Sequence, residues 1–515
     1  MSLSRDISTV SAGTVISRLL AYLRDAWIAA LLGAGPYSEA FFVIFQLFNF
    51  FRRLVTEGAV NASFVPIWLR LRESANGAPA ANLFTRRILL TLFCTVGIFV
   101  LLTVFLGRFV VAIVAPGFDD PQRSLATLLL IIVAPYILFG ALVAVITAAL
   151  SAESRVLAVA VSTVLFNLVM LLALLFVALA QSDHFFVATA LGLAVSAAGL
   201  IQFAVAFALW LATGRRWQRA HLPLANQASE FFARVLPGLI ATGIPQFKLI
   251  AGAAIASSSS AAVSWLYYAN RLYELPLGIA SIAVGTVIVP RLVRRLGEDQ
   301  QAFVDDQSRA YEIAFGLALP AATGFALLAK PIASALFERG AFGPGDSTAV
   351  AAALIAICIG LPAHILEKVF GAVAFAYRDT RTPMLVGVAG FAAAVAGGLL
   401  LFPVFGHVGV AASIAASAWV DFALLSTILY RRSWLRVDGH AVGRLARIIA
   451  ATGTMACILI AATHALGDAI HGSSVTALAL LLALVGLGAV SYFGSLHLLG
   501  VMTVKNLFLA LRLKS

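Results

Sequence analysis

Long apolar runs joined by short connections limit what this chain can become more than any other feature of it. A helix that crosses a bilayer needs roughly 20 mostly apolar residues, and the segments 87–107, 156–181, 185–212 and 474–500 each reach that length. Further runs lie at 38–69, 124–151 and 347–376, and a pair at 383–403 and 408–430 is parted by only a few residues. Of 515 residues, 62% are hydrophobic and 11% charged, against about 45–50% and about 25% in soluble domains. No soluble core encloses that much apolar surface. The chain therefore reads as an all-α polytopic membrane protein with about fourteen transmembrane helices. Its 40 Gly and 17 Pro are dispersed through the apolar runs, as is usual where neighbouring helices can satisfy freed backbone groups.

The net charge of +12 would suit nucleic acid if it formed a patch, but its distribution follows membrane topology. With the N-terminus inside, the inner segments hold Arg70, Arg72, Arg86, Arg87, Arg215, Arg216, Arg294, Arg295, Arg431, Arg432 and others, whereas the outer segments hold only Arg108, Arg123, Lys330 and Arg339. That is the positive-inside pattern. It places both termini in the cytoplasm and the basic residues against anionic membrane lipid, with no nucleic-acid partner. The apolar stretch at 9–32 is broken by Arg18, Arg24 and Asp25 and has no cleavage region after it, so it is expected to remain as the first helix. Cys94, Cys358 and Cys457 lie in apolar runs without CxxC spacing and are expected to be small core residues.

Internal echoes point to a repeat. Ala152-Glu153-Ser154-Arg155 resembles Arg378-Asp379-Thr380-Arg381, and Phe64-Val65-Pro66 resembles Ile288-Val289-Pro290, each six helices further on in the same orientation. A parallel pseudo-repeat follows, with two six-helix lobes at 1–220 and 221–435 and a C-terminal helix pair with a short amphipathic tail at 436–515.

Several cations stand where they are costly. Arg or Lys near a helix centre costs about 2.5–3.5 kcal/mol on insertion scales, and Arg18, Arg24, Arg52, Arg53, Lys248, Arg271 and Lys368 fall within apolar runs. Lys248 and Lys368 are placed to snorkel. Helical spacing sets Arg18 and Asp25 on one face, as it does Glu39, Gln46 and Arg53, and brings Arg53 near Glu57 and Arg271 near Glu274. Arg52 has no acid one turn away. A basic cavity with too few acids suits an anionic substrate, and the planar guanidinium fork matches phosphate or pyrophosphate oxygens. In the seventh helix, Pro237, Gly238, Gly243 and Pro245 crowd together, which predicts a bend or a hinge between lobes. There is no GxxxxGK[ST] loop, HExxH or GxSxG motif. Asp119-Asp120 and Asp305-Asp306 read as solvated loop charges, and the 8 histidines form no ligand spacing. Transport without a cofactor or bond chemistry is the expectation, driven by an ion gradient, the membrane potential or the substrate's own gradient.

The first two helices then show a recognisable set: Ser17-Arg18-Leu19-Leu20, Leu23-Arg24-Asp25-Ala26, Gly33-Ala34-Gly35, Ala40-Phe41-Phe42, Asn49 with Arg52-Arg53-Leu54, and Glu57-Gly58-Ala59 to Phe64-Val65-Pro66. Ala115-Pro116-Gly117-Phe118, Pro135-Tyr136, Ser264-Trp265-Leu266-Tyr267-Tyr268-Ala269, Arg271-Leu272 with Glu274 and Pro276, Gly285-Thr286 and Thr380-Arg381-Thr382-Pro383 follow in order. From about residue 8 to 430 the chain resembles the MurJ (MviN) family of lipid II flippases. The resemblance implies the multidrug/oligosaccharidyl-lipid/polysaccharide exporter fold, two lobes around a central cavity, and a C-terminal pair bordering a groove for a polyprenyl tail. It implies residence in the bacterial cytoplasmic membrane, lipid II as cargo flipped from inner to outer leaflet by alternating access, and the peptidoglycan synthesis machinery as partner. It carries the substrate-binding role onto Arg18, Arg24, Arg52 and Arg271, with Asp25, Glu57 and Glu274 orienting them. Asn49 and Ser264 become polar cavity contacts, beside Glu39, Arg53 and Asn270.

Departures from the family pattern bear on gating: Glu39 and Asn270 stand where Asp is usual, and Gln46 and Phe48 replace Lys and Pro. Some relatives use sodium near the eleventh helix. Asp379 is available here, but Phe375 and the apolar neighbours do not complete a site, so the coupling ion, sodium or a proton, stays open. The competing readings are export of another polyprenyl-pyrophosphate glycan and a polytopic glycosyltransferase. The latter needs a carboxylate on a large outer loop, whereas Gly33–Tyr37 and Ser257–Ser260 are short connections.

Overall fold

A polypeptide in lipid must satisfy its backbone hydrogen bonds internally, and the computed structural model does so with helices. It describes residues 3–56, 59–74, 77–153, 155, 157–213, 225–283, 288, 292–294, 296, 300–436 and 439–500, and every regular element among them is helical. Contacts gather these elements into two units, Met1–Ser260 and Ala261–Ser515.

The first unit holds α1 (Leu3–Leu32), α2 (Pro36–Thr56), α3 (Ala59–Glu73), α4 (Gly77–Phe105), α5 (Gly107–Val114), α6 (Asp120–Val133), α7 (Pro135–Ser151), α8 (Leu157–Leu179), α9 (His184–Leu211) and α10 (Ala225–Ala256). α1 packs on α8, α8 on α9, α9 on α7 and α7 on α4. Local signals set the helix ends. Gly33, at φ 63°, closes α1 in the left-handed conformation that costs glycine least. Asp119 and Asp183 accept the backbone N–H of Gln122 and Phe186 at 2.8 and 3.1 Å and so cap α6 and α9. The continuous run 124–151 breaks where Pro135 opens α7, since proline lacks the donor that would continue the preceding turn. The run 38–69 likewise divides into α2 and α3, with Glu57 outside the described residues.

The second unit holds α11 (Ala262–Ala283), α12 (Gln300–Leu327), α13 (Ala329–Phe337), α14 (Pro344–Cys358), α15 (Leu361–Ala376), α16 (Arg381–Arg431), α17 (Gly439–Leu466) and α18 (Val475–Leu498). The run 347–376 bends by 42° between α14 and α15, with Pro362 in the first turn beyond the break. α16 comprises two helices in sequence, as the runs 383–403 and 408–430 suggest, because Gly406 leaves helical geometry at φ 56°. α17 and α18 pack together and α17 lies on α12, around a core that includes Leu328, Ile448, Met455, Leu459 and Tyr492. The connection into α17 is tied down by the fully buried Gln307, which donates to the Trp434 carbonyl at 2.8 Å and accepts from the Arg436 N–H at 3.2 Å.

Among the described residues, eight helices are long and apolar enough to cross a membrane, or nine when the bent pair α14–α15 counts as one span. Phe105, Leu400 and Leu498 are among the many large apolar side chains on the surface, as expected of a chain solvated by lipid. Cys358 is buried, but Cys94 and Cys457 are exposed. Those two are not core residues, since a small apolar thiol suits a lipid-facing surface as well as a core.

The seventh apolar run, assigned from sequence to the second lobe, packs as α10 against α2 and α3 of the first unit. α10 is helical throughout Ala225–Ala256. The side chains of Pro237, Gly238 and Pro245 lie outside the described residues. Gly243 is buried where a Cβ would stand 3.2 Å from Leu54 and 3.7 Å from Phe50 of α2, so its smallness serves close helix approach. Beyond α10, Ser257 accepts the Gly117 N–H at 2.9 Å, and a Cβ on Gly117 would fall 2.4 Å from the Ser258 backbone. Gly117→Ala therefore has to part these two loops. It should destabilise the protein by about 1–3 kcal/mol, the usual cost of overpacking, read as a lower thermal unfolding midpoint of the purified protein in detergent, whereas Gly35→Ala, which meets open space, should change little.

Candidate functional site

In the first unit, the buried polar centre is built on α1, α2 and α8. Arg24 is 4% exposed and Asp25 0%, a depth at which a lone charge is not tolerated. The pair neutralises itself: Arg24 Nε and Nη2 donate to Asp25 Oδ1 at 2.9 and 2.6 Å. Its third nitrogen, Nη1, donates to Asn167 Oδ1 of α8 at 3.0 Å. The guanidinium carbon also lies over the rings of Phe45 and Phe166, 5.1 and 5.9 Å from their centroids, a favourable cation–π placement. Spacing alone set Arg18 and Asp25 on one face; the structure gives Asp25 to Arg24, whose long side chain folds back beside its neighbour. Arg18 is half-buried on the same helix.

Aromatic packing surrounds this centre. The ring of Phe48 meets Tyr136 edge-on at 4.1 Å, and Phe45, Phe48 and Tyr136 all pack on Phe166. Tyr136 donates to Gln202 Oε1 at 3.0 Å, and Gln202 Nε2 donates to the Ser162 carbonyl at 2.6 Å. On α2, half-buried Arg52 donates from Nε to Asn49 Oδ1 at 3.2 Å. Asn49 thus meets Arg52 from one turn back on the same helix. Glu39 is 1% exposed and accepts from Gln122 of α6 at 3.2 Å. Arg53 is half-buried on α2, and its expected partner Glu57 lies outside the described residues.

In the second unit, Arg271 Nη1 lies 3.3 Å from Glu274 Oε2 on the next turn of α11. Ser264 is fully buried and Asn270 half-buried on the same helix. Tyr273 shares a hydrogen bond of 3.0 Å with His364 of α15. A further acid, Asp421 of α16, is 1% exposed, and Gly390 makes the room for its carboxylate. Among the described residues, no group of three or more His, Cys, Asp or Glu side chains converges as metal ligands. Asp379 is committed elsewhere. Its carboxylate accepts the Arg381 and Thr382 N–H groups, each at 2.9 Å, and the Thr382 hydroxyl at 2.6 Å, and pairs with Arg432. Partial burial pushes this carboxyl up, but the hydrogen bonds from Thr382 and the charge of Arg432 outweigh it and hold it at about 2.

In the first unit Arg24 of α1 and Arg52 of α2, and in the second unit Arg271 of α11, are each met by a neighbouring carboxylate or amide. A guanidinium group so placed has the chemistry to meet an anion. Asn167, Gln202 and Gln122 were not among the site residues inferred from the sequence. Their signal was present, since Asn167 and Gln202 are single amides in otherwise apolar helices.

Solved structures place the class first. The chain matches "Lipid II flippase MurJ, inward closed conformation" with a TM-score of 0.78 at 18% identity, over 94% of this chain and 97% of that one. It matches an inward-facing multidrug resistance MATE family transporter of the MOP superfamily with a TM-score of 0.64 at 14% identity, over 83% and 98%. The chain shares the all-helical fold of these two proteins. The family model for lipid II flippase MurJ matches residues 28–480. A probable lipid II flippase MurJ of Rhizobium meliloti (strain 1021) is 36% identical over 468 residues, 90% of this chain and 87% of the relative. The lipid II flippase MurJ of Burkholderia cenocepacia is 30% identical over 470 residues, 86% and 88%. The chain belongs to the lipid II flippase MurJ family.

Asp379 gives a pH-dependent prediction. Its folded value lies below the ordinary carboxylate range, so its contribution is fully present above about 4 and is lost as pH falls toward 2. Asp379→Ala should cost about 1–2 kcal/mol at neutral pH, the range for losing a helix-start cap. The difference in thermal midpoint from the parent should shrink between about pH 4 and 2, as measured in detergent.

Proposed function

We propose that this protein carries lipid II, the undecaprenyl-pyrophosphate-linked peptidoglycan precursor, from the inner to the outer leaflet of the bacterial cytoplasmic membrane by alternating access. The placement of Arg18, Arg24, Arg52 and Arg271 within otherwise apolar helices carries the reading, because guanidinium forks among apolar residues suit a phosphate or pyrophosphate group. Asp25, Glu57 and Glu274 hold these arginines until cargo arrives, and Asn49 and Ser264 add polar contacts. The polyprenyl tail stays in the bilayer while the headgroup is captured from the inner side and released on the outer. No bond is made or broken, so the protein acts as a transporter and not an enzyme.

The matching architecture is fourteen spans, two six-helix lobes in parallel repeat and a C-terminal pair, with both termini cytoplasmic as the arginine skew suggests. The crowded Pro237, Gly238, Gly243 and Pro245 act as the hinge of the rocking movement. Sodium or a proton supplies the driving force, with Asp379 as the nearest candidate ligand once released from Arg432. The enzymes that polymerise peptidoglycan at the outer surface are the natural recipients of the cargo.

Depletion of the resident lipid II flippase in a bacterium, with rescue by this protein, tests the proposal. Lipid II reaching the outer leaflet is scored directly. The parent should restore growth and outer-leaflet lipid II, while each of Arg18→Ala, Arg24→Ala, Arg52→Ala and Arg271→Ala, equally expressed, should lower transport about tenfold or more, the worth of one charge-assisted contact. Growth restored by all four variants would remove the arginines from the mechanism.

A further inference from the structure

Asp25 grips Arg24 through one atom. Both hydrogen bonds that Arg24 donates to it, from Nε and from Nη2, end on Oδ1, so that oxygen is a pivot about which the guanidinium plane can still turn. A plane needs a second anchor, and Nη1 donates to Asn167 Oδ1. The orientation of that carboxamide is itself dictated. Its Nδ2 faces three acceptors, the Ser17 carbonyl at 3.2 Å, the Ser17 hydroxyl at 3.1 Å and the Thr163 carbonyl at 3.3 Å. The Ser17 hydroxyl spends its proton on the Thr163 carbonyl at 3.3 Å and can only accept from the amide. Donation therefore runs one way, from Arg24 to Asn167 to Ser17 to Thr163, in a buried setting where such chains reinforce one another. Asn167 is 4% exposed.

We infer that Asn167 is a positioning residue for substrate capture: it fixes the plane of the Arg24 guanidinium so that its remaining N–H groups are aimed at the pyrophosphate. Arginine has five donors, of which three are used in these contacts. One N–H on each terminal nitrogen is left for an anion. Only an amide fulfils the role at this position. Leucine has the shape without the acceptor, and a carboxylate would set an oxygen against the Ser17 and Thr163 carbonyls. Phe45 and Phe166 restrict the tilt of the guanidinium, but they cannot fix its rotation within the plane, which leaves that to the amide.

This inference rests on the reading of Arg24 as a pyrophosphate ligand, and a double-mutant cycle separates the two. The full chain is reconstituted in nanodiscs and titrated with lipid II, with undecaprenol as the probe that lacks the pyrophosphate. Asn167→Leu should weaken lipid II binding about tenfold, the worth of one hydrogen bond to a charged group, and leave undecaprenol binding unchanged. Ser17→Ala, which removes one of three acceptors and should fold readily, should weaken lipid II binding a few-fold in the same direction. In an Arg24→Ala background neither substitution should have any further effect. A merely structural amide would instead lower binding of both probes, or by the same factor with and without Arg24. If Arg24→Ala weakens lipid II binding while Asn167→Leu and Ser17→Ala bind as the parent, or their losses multiply with that of Arg24→Ala, the positioning role is overturned and the pyrophosphate reading stands. If Arg24→Ala itself binds lipid II as tightly as the parent, the pyrophosphate reading falls and the inference with it.

Discussion

Lipid offers no hydrogen-bond partner, and that single deficit shapes both the scaffold and the site. Backbone groups are satisfied within helices because nothing outside can satisfy them. The same demand falls on every polar side chain that function places at depth. Arg24 meets it with a carboxylate, an amide and two aromatic faces, Arg52 with an amide, and Arg271 with a carboxylate one turn on. Removing one partner of such a buried pair leaves an uncompensated charge, which costs about 3–5 kcal/mol. The polar groups around each arginine are therefore part of the fold before they are part of any binding site.

Amides as well as carboxylates meet these guanidinium groups. Asp25 cancels the charge of Arg24 yet occupies only one edge of its fork, and the amides Asn167 and Asn49 hold guanidinium groups without cancelling their charge. An amide satisfies a guanidinium donor without adding a negative charge. Glu39 shows the complementary choice. It is buried and accepts from Gln122 in the first turn of α2, where the helix dipole favours an acid.

Particular residues show how much of this was legible in the chain. Arg18, Arg24, Arg52 and Arg271 stand out because a cation in an apolar run is costly whatever its surroundings, and Glu274 one turn from Arg271 follows from helical spacing. The partner of Arg24 did not follow. A period of 3.6 residues ranks Arg18 with Asp25, but a long side chain can turn back to its own neighbour, and only the packing of α1 against α8 decides that it does. Asn167 and Arg24 are 143 residues apart in the chain, and no local pattern joins them. Asp379 reads as a free acid in sequence, whereas the fold spends it on the first turn of α16 and on Arg432.

The sequence by itself determined that the chain spans a membrane many times, that its elements are helices, where several of them break, and which cations must find partners. These are consequences of composition, period and proline or glycine chemistry, which act over one or two turns. Tertiary structure alone decided the rest: that α10 packs with α2 and α3, that Gly117 interlocks with Ser257 and Ser258, and that a lone amide on α8 sets the plane of an arginine on α1. Each depends on which helix faces lie against one another, a property of shape complementarity over long sequence separations that no local rule encodes.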